Sequence, residues 1–286
     1  MATAKSIVQK IKNRKRIFFP KIKKYLLDKF NKEQEAYSWE SIGYKLYPSS
    51  FPETTMCPKH HIEITVHSDQ YRTEDILFSM AKGSAVHEAY QKIALEMEDF
   101  LYDNFNFEEL KQALTEEQFQ YYTEKYRSSL PEIYVWEPSA HVCGKIDFVL
   151  KDDLTGEPIV LDLKTMTVEN TTFNKERNTF ETGLWESKKT KLPEKYHKLQ
   201  VNIYGYIANK YNLFGRPVTR VGILADNMAV KGESGSEEFL WDFTENTYKV
   251  IDELMRALAK CRNEYIQGKE VVCDYKLCKQ HAGVSL

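Results

Sequence analysis

The sequence predicts a mixed α/β protein, because helical patterning both precedes and follows a compact β section. Three observations carry that expectation. Residues 73–127 repeat apolar side chains at spacings of three and four. Residues 132–164 hold short runs rich in Val, Ile and Leu, separated by turn residues. Residues 244–268 return to a helical period behind Thr244, a good N-cap. In chain order, residues 5–36 read as helix, broken or kinked at Pro20. "KLYPSSFPETTMCP" (45–58) is a Pro/Ser-rich connection, and residues 169–194 form a polar one. "KYHKLQVNIYGYIANKYN" (195–212) reads as a helix, and "RPVTRVGILAD" (216–226) and "EEFLWDF" (237–243) as strands.

The chain has 286 residues, 42% hydrophobic and 13% aromatic, which indicates a globular protein with a sizeable core. It contains no run of 18 apolar residues, so no membrane-spanning helix is expected. The start is basic but lacks the apolar centre and cleavage site of a secretory leader. Five cysteines without a closely spaced even framework read as reduced thiols or metal ligands of an intracellular, cytoplasmic protein.

Charge is unevenly placed. Residues 1–32 carry eleven Lys/Arg against Asp28 alone, a local +10 in a chain whose net charge is −2. We therefore divide the chain into a basic helical arm, 1–44, and a main domain, 45–286. The arm suits a polyanion or a protein partner; a solvated helix face is the plainer alternative.

The most informative stretch is "VCGKIDFVLKDDLTGEPIVLDLKTM" (142–166). Period-two alternation places Val142, Gly144, Ile146, Phe148 and Leu150 on one face and Asp147 on the other. "KDDLTGEP" is turn chemistry. In the second strand Val160, Asp162 and Lys164 share one face, and Leu161 and Leu163 the other. A hairpin then brings Asp147 and Asp162 together, with Lys164 one strand repeat beyond. Two close carboxylates repel unless a cation joins them. Mg2+ or Mn2+ suits such a donor set and would activate water against a phosphoryl group. The competing explanation is an Asp–Lys pair on an exposed strand face.

The same residues, with others, resemble the PD-(D/E)XK nuclease superfamily in its RecB-like branch. "GKIDFVL", a turn and "IVLDLKT" match its metal-binding Asp and its D-x-K. "GSAVHEAY" supplies the branch's helical G-x-x-x-H as Gly83 and His87, and "LQVNIYGY" supplies Q-x-x-x-Y as Gln200 and Tyr204. The resemblance covers roughly residues 45–280. It is shared with RecB and AddB nuclease domains, CRISPR adaptation nucleases, mitochondrial genome-maintenance exonucleases and phage recombination exonucleases. It implies a restriction-endonuclease-like core, a mixed β-sheet flanked by helices, with the helical N-terminal region added. It also implies a Mg2+- or Mn2+-dependent deoxyribonuclease acting on single-stranded or end-containing DNA in recombination, repair or replication, in a host cytoplasm if phage-encoded. By the same resemblance His87, Asp147, Asp162 and the Leu163 backbone carbonyl ligate metal. Lys164 is catalytic, and Gln200 and Tyr204 orient the DNA strand or the lysine. Taken alone, His87 also reads as a satisfied core histidine, and Gln200 and Tyr204 as ordinary helix packing.

"TTMCPKHH" and "VVCDYKLCKQH" resemble the cysteine boxes of the iron–sulfur members, but Glu270 stands where one cysteine is expected. Cys57, Cys273 and Cys278 with His281, or with His60 or His61, suit tetrahedral Zn2+. A [4Fe–4S] cluster and no metal at all are the alternatives. Cys261 reads as a packed thiol. Lys188, Lys189, Lys191 and Lys198 are expected to track phosphates, with Lys175, Arg177 and Lys195 nearby. Phe180 and Trp185 are candidate stacking platforms. Recombination or replication proteins are candidate partners of the arm. A non-catalytic DNA-binding or assembly subunit, or an RNA nuclease, are the rival readings.

Overall fold

The computed structural model describes residues 46–50, 57–66, 74–96, 101–129, 132–166, 171–174, 179–182, 197–227, 235–275 and 278, together with 21, 23–25, 27 and 28. The protein is a mixed α/β structure with a mixed sheet flanked by helices. Helix α1 (Pro58–Val66) and the long α2 (Glu74–Glu96) come first. Two shorter helices follow, α3 (Glu108–Ala113) and α4 (Glu116–Ser129). The β section opens with β1 (Ile133–Glu137) and β2 (Val142–Ile146), an antiparallel pair. A four-stranded sheet then forms in the order β3 (Phe148–Lys151), β4 (Pro158–Met166), β7 (Arg220–Asn227), β8 (Ser236–Asp242). Its β3–β4 and β7–β8 pairs are antiparallel, and β4–β7 is parallel. The crossover from β4 to β7 passes through α5 (Lys198–Lys210), as parallel neighbours require.

Helix α5 is buried on nearly every side. It lies between the sheet and α6 (Glu245–Ile266), which starts where Thr244 Oγ1 accepts a hydrogen bond from the Thr247 N–H at 3.2 Å. The buried stripe of α6 is Ile251, Leu254, Met255, Leu258, Cys261 and Arg262, a helical period. On β4 the alternation is as expected: Val160 enters the larger core with Val201, Val221 and Ile223. Leu161 and Leu163 enter a smaller cluster with Phe148, Leu224 and, from α2, Tyr90 and Ala94. The sheet is thus covered by α5 on one face and α2 on the other.

Three features differ from the sequence expectation. Residues 169–194 are not all connection: β5 (Thr171–Asn174) and β6 (Thr179–Thr182) form an antiparallel hairpin. The alternation also does not run unbroken through 142–150. Asp147 belongs to neither strand, so Ile146 packs in the larger core while Phe148 and Leu150 pack in the smaller cluster. Finally, Leu46 is not in a loose connection. It is buried and pairs with the outer edge of β2, its N–H donating to His141 O and its carbonyl accepting from Cys143 N–H, both at 2.9 Å.

Most of the 1–44 arm lies outside the described residues; Lys23 places its ammonium over the Phe78 ring of α2 at 5.5 Å. Among the described residues no helix is long and apolar enough to cross a membrane.

Candidate active site

The site forms where β4 outruns β3. Pairing between them ends at Phe148 and Leu161, leaving Asp162 to Met166 without a neighbour on that edge among the described residues. Asp147, at the break between β2 and β3, fills the first gap. Its Oδ2 accepts the Leu163 backbone N–H at 2.7 Å. The N–H and C=O of one extended residue point to the same edge, so the Leu163 carbonyl faces this side too. The other carboxylate oxygen, Oδ1, meets His87 Nδ1 at 3.2 Å. Helix α2 carries His87 one turn after Gly83, which lies against β4. A Cβ on Gly83 would lie 3.5 Å from Thr165 Oγ1.

Asp162 is 2% exposed. Gln200 of α5 donates from Nε2 to Asp162 Oδ1 at 2.9 Å and to the Tyr204 hydroxyl at 3.1 Å, using both amide hydrogens. Lys164 Nζ lies 2.6 Å from Asp162 Oδ2, yet that oxygen has no hydrogen bond of good geometry. Burial pushes the Asp162 carboxyl up to about 6; Lys164 pulls it down, and Asp147 adds to the rise. For His87 burial favours the neutral ring, but the hydrogen bond and charge of Asp147, with Asp162, outweigh it and raise the value. His197, just before α5, is pushed down to about 4 by burial and by Lys164, which keeps its ring neutral. Tyr204 stays protonated well beyond the usual phenol range, through burial and then Asp162.

The six expected residues His87, Asp147, Asp162, Lys164, Gln200 and Tyr204 are therefore in one linked cluster. Gln200 and Tyr204 are both buried, and Gln200 ties the Asp162 carboxylate to the Tyr204 hydroxyl. Tyr204 fits only because residue 144 is glycine, where a Cβ would lie 2.8 Å from the tyrosine ring and hydroxyl.

The donor set suits a hard divalent cation: two carboxylates, an imidazole and a backbone carbonyl, with the buried Asp162 Oδ2 facing Lys164 Nζ. The donors are not closed to ligand spacing. Among the described residues, the one group of three such atoms within 4.8 Å of one another is Cys57, Cys273 and Cys278. Those thiols are buried, and burial raises Cys57 to about 12 and Cys273 above its ordinary value. Cys261 is buried beside them, its Sγ 3.7 Å from Val272 O, and its thiol is also raised to about 12, chiefly by burial and then by Cys273. Its place at the end of the α6 stripe was the signal that it faces this cluster. His61 is fully buried on α1, its N–H donating to Cys57 O at 3.0 Å; His60 pairs with Glu63 at 3.7 Å. His281 lies outside the described residues, as do Lys175, Arg177, Lys188, Lys189, Lys191, Lys195 and Trp185 and the side chain of Phe180. Lys198 is described; it sits over the Trp241 ring at 5.2 Å.

No protein-family model matches the chain, and no curated protein matches it. Among solved structures it is similar to the protein SSO0001, at 14% identity and a TM-score of 0.38, over 92% of this chain and 95% of that one. It is similar to a protein of Eubacterium rectale whose printed name is "Putative exonuclease", at 13% identity and a TM-score of 0.38, over 88% and 93%.

Proposed function

We propose that this chain is a divalent-metal-dependent deoxyribonuclease of the RecB-like PD-(D/E)XK type, acting as an exonuclease on single-stranded or end-containing DNA. The observation that supports it best is the convergence, at one strand end, of Asp147, Asp162 and His87 with Lys164. A strand that only fills a core has no use for a buried Asp162 that pairs with a half-buried Lys164 and is tied by Gln200 to a second helix. His87, Asp147, Asp162 and the Leu163 carbonyl would hold Mg2+ or Mn2+. When bound, such an ion polarises a phosphoryl oxygen and acidifies water. Gln200 and Tyr204 fix the Asp162 carboxylate. Lys164 is the cation that can turn from Asp162 to a phosphate oxygen or to the attacking water. The basic residues 188, 189, 191 and 198 and the 1–44 arm would follow the phosphates or, for the arm, a recombination or replication protein.

Cys57, Cys273 and Cys278 are proposed to hold a structural metal. Zn2+ with a histidine such as His281 is the first choice, and a [4Fe–4S] cluster with Cys261 as fourth thiolate is the second.

The test incubates end-labelled single- and double-stranded DNA and RNA with Mn2+ or Mg2+, using wild type, Asp162→Ala and Lys164→Ala. Metal-dependent shortening of single-stranded DNA by wild type alone is expected. Cleavage equal in all three proteins, or none in wild type, sinks the assignment. Metal binding without cleavage would mark an assembly subunit, and preference for RNA an RNA nuclease.

A further inference from the structure

One turn after His87 on the same face of α2 stands Gln91, a residue the active-site motifs leave out. It is 7% exposed, and its Nε2 has no hydrogen-bond partner among the described residues. A buried amide donor left without a partner is destabilising, and a leucine there would pack at less cost. Gln91 lines a cavity of about 540 Å3, with Phe148, Tyr102, Phe105 and Ile133 among its walls and Asp147 at its edge. The rings of Tyr102 and Phe105 meet edge to face, 6.5 Å between centroids. The Tyr102 hydroxyl is committed to Phe214 O at 2.5 Å, so its ring offers the cavity mainly carbon.

The cavity is apolar, its charged lining among the described residues is Asp103 and Asp147, and it is open to the outside. Those acids disfavour a phosphate. What fits is the uncharged part of a nucleotide: a flat apolar ring whose edge carries acceptors for an amide N–H. A base inside a duplex cannot reach such a cavity without leaving its stack. Asp147 is shared between the cavity and the carboxylate cluster, so an occupant sits within about one nucleotide of the bond that is cut.

The geometry points to a base pocket: the cavity between α2 and β3 receives one unpaired nucleobase next to the scissile phosphate, and Gln91 reads its edge. This rests on the nuclease reading and gives that reading a reason for single-strand preference.

The test is binding rather than cleavage. Short labelled single strands are titrated by fluorescence anisotropy with Ca2+ in place of the catalytic metal, moving one abasic position along the strand. One position is expected to lower affinity about 5- to 100-fold, the usual range for losing a stacked base. At that position wild type ranks the four bases. Gln91→Leu is expected to melt no lower than wild type and to flatten the ranking to within about twofold, while Gln91→Glu, which accepts where glutamine donates, shifts it towards cytosine. No sensitive position, or an unchanged ranking in both variants, overturns the pocket. Cleavage in Mn2+ without a sensitive position leaves the nuclease and removes the pocket. A sensitive position in a protein that never cleaves leaves the pocket and removes the nuclease. No binding at all removes both.

Discussion

Asp162 is held from three directions: Gln200 fixes one oxygen, Lys164 faces the other, and burial resists its charge. Its carboxyl titrates near 6, above the ordinary range, so below that pH a proton competes with any cation for the site. His87, also raised, adds a second competing proton. Mn2+ affinity should therefore be full at pH 8 and fall as pH drops through about 6, with proton release on binding near pH 6. Calorimetry in two buffers of different ionisation enthalpy measures both; pH-independent binding would place the ion elsewhere. On the proposed reading the His87 ring is a nitrogen donor, which would favour Mn2+ over Mg2+. Wild type is expected to cut faster in Mn2+, and His87→Ala to lose that margin while retaining some Mg2+ activity. Equal rates in both metals that survive the substitution would take His87 out of the site.

At the level of elements, the close fit of β2 against α5 makes Gly144 a sensitive position. Gly144→Ala must displace the Tyr204 ring, at a cost of about 1–3 kcal/mol for overpacking, and should weaken cleavage by loosening Gln200 behind Asp162. Thr244→Ala is the contrasting change: loss of the α6 cap costs about 1 kcal/mol and should leave cleavage untouched, since the cap lies on a helix with no residue in the carboxylate cluster. Thermal melts and initial rates on the two variants separate packing from chemistry. These elements also show how far the sequence could be read. Strand β4 and helices α5 and α6 were legible because their apolar periods are strong, and α6 also because Thr244 marks its start. The β5–β6 hairpin was not, because Thr171, Thr172, Asn174 and Thr179 to Thr182 carry little apolar alternation. The break at Asp147 was hidden for the opposite reason: the apolar run continues through it, and only tertiary pairing reassigns β2 and β3 to different sheets. The approach of Asp147, Asp162 and Lys164 was legible from strand spacing, whereas His87, Gln200 and Tyr204 entered only through the family resemblance. Gln91 was not legible, because what marks it is a cavity rather than a motif.

Across the whole molecule, α1 packs on α6, and Cys57 meets Cys273 and Cys278. If a metal is shared there, chelation should lower the melting temperature. Cys278→Ala should then cost several kcal/mol, because structural zinc supplies roughly 10 kcal/mol or more of binding free energy. A packed thiol alone would cost about 1 kcal/mol. Metal content by mass spectrometry, with colour near 400 nm for a cluster, decides between zinc, iron–sulfur and neither. The same joint has a consequence for synthesis. Cys57 leaves the ribosome more than two hundred residues ahead of its partners, and α1 has no α6 to lie on until nearly the whole chain is made. The carboxylate cluster is complete in sequence by Tyr204, well before that closure. Translation thus leaves α1 and Cys57 without their packing partners until α6 and the cysteines after it have been made. A chain stopped after Phe243, before α6, is expected to stay protease-sensitive around α1 although its sheet strands are all present; equal resistance to that of the full chain would mean the front folds unaided.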